Sequence, residues 1–168
     1  MHSIREEHDR DAPEIRAVNT AAFGGHAEAD LVAALRTQAQ PLVSLVAVDA
    51  DAVVGHILFS PVTLPSHPAL QIMGLAPMAV RPDRQRLGIG SSLVRAGLEA
   101  CRRLGAGAVV VLGHPAYYPR FGFVPASRFG LRSEYDAPED AFMAIELTPG
   151  VLRGADGTVR YHRAFAGE

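Results

Sequence analysis

Two glycines stand where an apolar strand gives way to a long helix. Met78–Val80 ends the apolar run, a polar loop over 81–87 follows, and Gly88 and Gly90 come just before the helix predicted from Ser91. The first turn of a helix has free backbone N–H groups and the positive end of the helix dipole, so it binds anions. Glycine lets such a ligand approach the backbone closely. This stretch therefore predicts a phosphate site.

Positive charge and a hydroxyl group accompany these glycines. Arg84 and Arg86 lie in the loop, and Ser91 begins the helix. A Walker A loop needs a lysine, whereas all 16 Lys and Arg residues of this chain are arginine. A dinucleotide-binding fingerprint needs a third glycine, where this chain has Leu93. The alternative to a phosphate site is a glycine-rich helix start that binds nothing.

The spacing of this stretch resembles a family signature. Gln85-x-x-Gly88-x-Gly90, preceded by Met78-Ala-Val-x-Pro82, resembles the acyl-CoA signature of the GNAT superfamily of N-acetyltransferases. The sequence is therefore similar to that superfamily in the segment where its members bind the donor.

A second motif supports the same resemblance. Tyr118-x-x-x-Gly122-Phe123 is similar to the second signature of the superfamily, and the stretch 113–123 resembles its YhbS-like bacterial branch. The two motifs occur in the expected order within residues 70–124, which we interpret as an acyl-CoA-binding core.

The resemblance implies that acetyl-CoA is the acetyl donor and a co-substrate, with no metal. It implies that the backbone of Met78 and Val80 binds the pantetheine arm like an added strand. Two parallel strands of the sheet are expected to separate there, and Pro77 favours such an opening because it lacks a ladder donor. The residues expected to bind the cofactor are Met78, Ala79, Val80, Gln85, Arg86, Leu87, Gly88, Ile89, Gly90, Ser91 and Tyr118.

Acetyl transfer to an amine needs an oxyanion donor, an acid for the leaving thiolate and a base for the ammonium. By resemblance, the backbone N–H near Met78 is the oxyanion donor and Tyr118 is the acid. The base is not determined by the sequence. Glu28, His56, His114, Glu146 and a relayed water are the candidates.

These residues predict an N-acetyltransferase that moves the acetyl group of acetyl-CoA to a primary amine, by direct attack in a ternary complex. A non-catalytic acyl-CoA-binding sensor or regulatory module is the alternative, and a nucleotide-binding protein is a second one. The acceptor is a small-molecule or peptide amine, and its identity stays open.

The elements that must position these residues follow from hydrophobic periodicity and turn residues. A capping box at Asp11–Glu14 begins a first helix that extends to about Phe23. Further helices are predicted over 27–37 and 91–104, and strands over 42–48, 53–63, 70–80, 108–112 and 141–147. The result is an α/β fold: a mixed central sheet with an antiparallel N-terminal meander and a parallel, splayed central pair, flanked by helices.

The C-terminal segment predicts a hairpin. Asp156-Gly157 is a hairpin turn signal, so residues 151–153 and 158–161 are expected to pair as the last strands. Residues 150–168 would then form a hairpin extension of a single acetyltransferase domain that spans 1–168.

Composition limits the partners. The chain has 168 residues and a formal net charge of −2, which does not favour nucleic acid. No apolar run reaches the roughly 20 residues of a membrane span, and Cys101 has no second cysteine to pair with. We therefore expect a cytoplasmic protein, which by resemblance to its superfamily is a possible homodimer.

Overall fold

A mixed sheet carries both motifs in the computed structural model, which describes residues 1–167. The strands are β1 (Ser3–Glu6), β2 (Val43–Asp49), β3 (Ala52–Val62), β4 (Ile72–Val80), β5 (Ala108–Leu112), β6 (Val124–Pro125), β7 (Leu131–Ser133), β8 (Phe142–Glu146) and β9 (Gly157–Val159). The helices are α1 (Ala12–Phe23), α2 (Ala27–Gln38) and α3 (Ile89–Leu104). Seven strands form the sheet in the order β1-β2-β3-β4-β5-β8-β6, and β7 pairs with β9.

The predicted sheet is confirmed. Strands β2, β3 and β4 form the antiparallel meander, and β4 pairs with β5 in parallel. The long α3 connects these two strands, as the strand–helix–strand pattern predicts. The end of β4 and the start of α3 therefore lie close together at one edge of this connection.

Helices cover the sheet on both faces because successive side chains of a strand point to opposite sides. Ile57 on β3 packs in the core that contains α3 residues such as Leu93. Its neighbour Leu58 packs in the core formed with Ile15 of α1 and Leu35 of α2. None of the helices within residues 1–167 is long and apolar enough to cross a membrane.

The predicted C-terminal hairpin is wrong. Residues 151–153 lie in turns, and Gly157–Val159 pairs in parallel with Leu131–Ser133. The N–H of Leu152 donates to the carboxylate of Glu146, at 2.9 Å, so it is not available to a ladder. Leu152 and Val159 are both buried in a core shared with Leu131. Burial against β7 therefore outweighs the local turn signal.

The predicted capping box is also wrong, although α1 has the expected extent. Asp11 Oδ2 accepts the backbone N–H of His8 at 2.6 Å and a bond from Arg5 at 2.7 Å, so it faces away from α1. Glu14 instead accepts the N–H of Val53 at 3.0 Å. Both carboxylates join α1 to the sheet.

Candidate active site

The two central strands part at the candidate site. Strand β4 pairs with β5 through Ile72, Met73 and Gly74 only, although it continues to Val80. Within the described residues, no member of β5 pairs with β4 beyond Gly74. A gap therefore opens in the middle of the sheet, as the resemblance implied.

A bulge marks the start of this gap. Met78 lies opposite Ile57 of β3, and Leu75 lies opposite Phe59. The two residues between them on β4, Ala76 and Pro77, thus face a single residue of β3. The irregularity that Pro77 predicts is confirmed, and it redirects β4 where the gap begins.

The backbone beyond the bulge faces the gap. The N–H of Arg81 donates to the carbonyl of Val54 on β3 at 2.9 Å. Because backbone polar groups alternate sides along a strand, those of Met78 and Val80 point away from β3. The Val80 carbonyl accepts a 3.1 Å hydrogen bond from the Gln85 side chain. The backbone groups of Met78 and the N–H of Val80 are therefore available to an extended ligand, whereas the Val80 carbonyl is occupied by Gln85.

The loop before α3 has the geometry of an anion site. Gly88 precedes α3 with a φ of +83° and supplies no side-chain cap. The N–H of Ser92 donates to the Gly88 carbonyl at 3.0 Å, which is the first bond of the helix. The N–H groups of Ile89, Gly90 and Ser91 therefore have no acceptor within the helix.

The two loop arginines differ in their surroundings. Arg84 forms an ion pair with Asp49, at the end of β2. Arg86 is exposed and has a φ of +66°. Arg84 is thus tied to the sheet, and Arg86 is the cation that extends into solvent beside the helix start.

The second motif folds back onto the first. The hydroxyl of Tyr117 lies 2.9 Å from the hydroxyl of Ser91. The guanidinium of Arg120 lies 4.4 Å from the centre of the Tyr117 ring. Tyr117 therefore connects the tyrosine segment to the first turn of α3.

The ring of Tyr118 packs edge-to-face against the ring of Tyr117 and lines a cavity. Its side chain is 8% exposed, and none of the described residues offers a hydrogen-bond partner to its hydroxyl. Burial, with a smaller contribution from Tyr117, raises the pKa of Tyr118 to about 12. The phenol thus keeps its proton at neutral pH.

The cavity joins the bulge, the tyrosine segment and the two N-terminal helices. Its volume is about 420 Å³. Glu28 at the start of α2 and His114 after β5 contribute polar side chains to its lining. The walls of this transfer cavity are formed by Phe23, Glu28, Leu31, Leu75, Ala76, Pro77, Met78, Leu112, Gly113, His114, Tyr118 and Phe165.

The other two candidate bases lie elsewhere. His56 is fully buried, and its ring nitrogens lie 3.3 Å from Asn19 Nδ2 and 2.9 Å from Ser44 Oγ. Burial, together with the charge of Arg36, lowers the pKa of His56 to about 3. The carboxylate of Glu146 accepts the N–H of Leu152. The side chains of His56 and Glu146 are thus engaged in internal hydrogen bonds, and neither lines the transfer cavity.

Sequence reasoning missed the apolar walls of the cavity. Phe23, Leu112 and Phe165 come from the end of α1, the end of β5 and the C-terminal segment. These three residues have no local sequence pattern that marks them as part of a site. The neighbouring Gly113 does, because it directly follows a buried parallel strand, and loops in that position often form ligand sites. The walls depend on contacts between distant segments.

The single cysteine of the chain offers no reactive thiol. Cys101 is buried on α3, and burial raises the pKa of its thiol to about 12, so it is not a thiolate at neutral pH. Across residues 1–167, no group of three or more His, Cys, Asp or Glu side chains is arranged to hold a metal ion.

Comparison with known proteins identifies a family and its curated relatives. The model of the acetyltransferase (GNAT) family matches residues 1–123. The uncharacterized N-acetyltransferase YhbS of Escherichia coli (strain K12) is 40% identical over 163 residues, which cover 96% of this chain and 97% of that protein. The match to that relative thus includes the C-terminal segment, which the family model leaves out.

Among the similar solved structures, two cover 98% of this chain. The GNAT family N-acetyltransferase YhbS from Escherichia coli, in complex with CoA, matches with a TM-score of 0.92 at 39% identity, over 98% of this chain and 92% of that one. A GNAT family acetyltransferase from Brucella melitensis, in complex with acetyl-CoA, matches with a TM-score of 0.80 at 38% identity, over 98% of both chains.

Proposed function

The chain belongs to the GNAT family of acetyltransferases, and on that premise we propose that it transfers the acetyl group of acetyl-CoA directly to a primary amine in a ternary complex. One observation carries the proposal. The gap between β4 and β5 begins after Gly74, and Met78 beyond it lines the transfer cavity beside Tyr118 while its side chain also lies next to Gly90 at the start of α3. A long phosphorylated thioester and an amine can therefore meet from opposite sides.

The free polar groups of the chain fit acetyl-CoA. The N–H groups of Ile89, Gly90 and Ser91 would hold the pyrophosphate, with Arg86 adding charge. The exposed backbone edge of Met78 and Val80 would hydrogen-bond the pantetheine arm as a strand does. The solved relatives with CoA and acetyl-CoA support this assignment.

When bound, acetyl-CoA supplies an activated thioester, and the residues of the chain supply the rest. The N–H of Met78, which faces the gap, would donate to the thioester oxygen as negative charge develops there. Tyr118, protonated at neutral pH, donates its hydroxyl hydrogen toward the departing sulfur. No covalent enzyme intermediate is required.

We assign the general base to Glu28. Its carboxylate lines the transfer cavity, and no described side chain forms an ion pair or hydrogen bond with it. A free carboxylate attracts the substrate ammonium and can accept its proton directly or through water. His114 lines the same cavity and is the second candidate.

Calorimetric titration tests the donor site. Acetyl-CoA and CoA should bind with micromolar affinity, and ATP, which lacks the pantetheine arm, should bind far more weakly. Release of free CoA thiol in the presence of a panel of primary amines then tests transfer. Absence of acetyl-CoA binding to the folded protein would refute the proposal, and binding without thiol release would favour the sensor.

A further inference from the structure

We propose that the acceptor is a primary amine attached to an aromatic body, and that a pocket beside the transfer cavity holds this body. The inference rests on the proposed function and names its substrate class. The pocket, called the aromatic pocket below, has a volume of about 300 Å³. Its walls are Tyr135, Tyr161 and Phe165, together with Leu75, Ala76 and Leu112.

The aromatic pocket is continuous with the transfer cavity. Leu75, Ala76, Leu112 and Phe165 line both. Ala76 belongs to the bulge of β4 and Leu75 directly precedes it, where the acetyl group would lie. A ligand whose apolar body lies in the aromatic pocket can therefore extend its amine into the transfer cavity.

The pocket suits a flat apolar group. The ring centres of Tyr135 and Tyr161 are 5.6 Å apart with planes inclined by 44°, and those of Tyr161 and Phe165 are 5.1 Å apart at 59°. Rings inclined in this way offer both faces and edges to a further aromatic ring. Because a cavity of about 150 Å³ can bind benzene, the aromatic pocket has room for a substituted ring.

Tyr161 is anchored at the point where the sheet opens. Its ring packs against Gly74, where an added Cβ would lie 3.1 Å from Tyr161 Cε2. Gly74 is the last residue of β4 that pairs with β5. Burial raises the pKa of the Tyr161 phenol, so this side chain stays neutral. The ring is thus a fixed wall at the end of the gap.

The transfer cavity and the aromatic pocket differ in whether their carboxylates have partners within the protein. Glu134, beside the aromatic pocket, accepts the N–H of Tyr161 at 2.8 Å and pairs with Arg160 at 3.3 Å. Its carboxylate is therefore satisfied by the protein. Glu28 forms no such bond within the described residues, and it lines the transfer cavity. This arrangement fits a cation near Glu28 and an apolar body near Tyr161.

The same observation favours the acceptor over a long acyl chain as the occupant. An acyl chain cannot form an ion pair with the carboxylate of Glu28. An arylalkylamine can form this ion pair through its ammonium and contact the aromatic rings through its apolar body. Tyr135, Tyr161 and Phe165 lie outside the residues 1–123 that match the family model. The three rings of the aromatic pocket are thus contributed by the segment beyond the family model, and they line a wall of Leu75, Ala76 and Leu112 from the part that matches it.

The test compares 2-phenylethylamine with ethylamine, both with acetyl-CoA. We expect kcat/KM for 2-phenylethylamine to be higher by about tenfold or more, because apolar contacts of this size give that discrimination. Tyr135→Ala and Phe165→Ala should each reduce this ratio severalfold, while the affinity for acetyl-CoA stays unchanged. Leu104→Ala truncates an exposed apolar side chain in a different groove, so it should leave the ratio unchanged.

Equal kcat/KM for the two amines would overturn the inference and leave the proposed function intact. Variants that alter the preference between acetyl-CoA and hexanoyl-CoA, but not between the amines, would overturn it as well and assign the pocket to the acyl chain. If no amine is acetylated, ligand-observed NMR of 2-phenylethylamine with the CoA-saturated protein decides. Binding that Phe165→Ala abolishes supports the aromatic pocket, and absence of binding refutes it.

Discussion

The ring of Tyr118 lies against the backbone of Gly113, with no space for a side chain between them. A Cβ added at Gly113 would stand 3.0 Å from Cδ2 of Tyr118 and closer still to Cε2. Tyr118 is packed on this glycine, and its side chain lines the transfer cavity. The position of the proposed acid is therefore set by the absence of a side chain at the end of β5.

Gly113→Ala should displace the Tyr118 ring. We expect kcat to fall by about 10²-fold, because misplacing a reacting group by about 1 Å has such an effect, while the affinity for acetyl-CoA is retained. Steady-state kinetics and calorimetry measure the two quantities. Gly25→Ala is the matched control, since a Cβ there meets nothing within 4 Å. Full activity of Gly113→Ala would contradict the packing argument.

Tyr118→Phe removes the proposed proton donor and keeps the ring. Loss of a general acid typically lowers kcat by about 10²-fold or more, and the CoA dissociation constant should change little. The neighbouring Tyr117→Phe serves as the control: it loses only the hydrogen bond to Ser91. A larger fall in kcat for Tyr117→Phe than for Tyr118→Phe would move the acid to Tyr117.

Two glycines of α3 should respond in opposite ways. A Cβ at Gly90 would meet Tyr117 and Met78 at ordinary distances, 3.5 and 3.6 Å, so Gly90→Ala should fold normally. Its methyl group would occupy the space beside the free amides, and we expect the affinity for CoA to fall severalfold while Tm stays similar. Calorimetry and thermal unfolding measure the two effects.

Gly97→Ala should lower the thermal stability and leave the affinity for CoA unchanged. The added Cβ would lie 2.5 Å from Cζ of Phe59 and nearer still to Cε1, in the core beneath α3. Overpacking of about 1–3 kcal/mol outweighs the gain of about 1 kcal/mol from alanine in a helix. Tm should fall with little change in CoA affinity. A loss of affinity at both glycines alike would contradict the assignment of the anion site.

Acid should destabilise the fold through His56. Its pKa is about 3 in the folded protein and 6.5 in the unfolded chain, so the unfolded state binds the proton more tightly. The free energy of unfolding is therefore lost as the pH falls below about 6.5, by roughly 2 kcal/mol between pH 7 and pH 5. Urea unfolding at the two pH values measures this loss.

His56→Gln removes the titrating group. We expect the variant to be less stable at pH 7, because the hydrogen bonds to Ser44 and Asn19 are altered, but to lose less stability between pH 7 and pH 5. His26→Gln changes an exposed histidine and should keep the full pH dependence. The same pH dependence in His56→Gln as in the parent protein would exclude His56 as the cause.

Local patterns predicted the elements well where burial and propensity agree. Strand β5 occurs over the predicted residues 108–112, and α1 ends at Phe23 before Gly24. Strand β1 was missed because Arg5 and Glu6 give it a polar surface pattern; it pairs only at the edge of the sheet, with β2. Edge strands gain their hydrogen bonds from a distant partner, which local propensity does not reveal.

The sequence by itself determined the glycine loop that precedes α3, with its free amides. Gly88, Gly90 and the start of α3 are neighbours in the chain, and free amides at a helix start are a local property of the backbone. The resemblance to the GNAT family rested on the same local motifs, and the family match supports it.

Only the tertiary structure decided which side chains share the transfer cavity. Strand alternation places His56 on one face of β3, but it does not say whether that face meets the cavity or α1; the structure buries His56 beside Asn19. Glu28 and Phe165 are separated by most of the chain and line one cavity. The order of strands in the sheet brings such residues together, because side-chain periodicity specifies faces and only long-range pairing specifies neighbours.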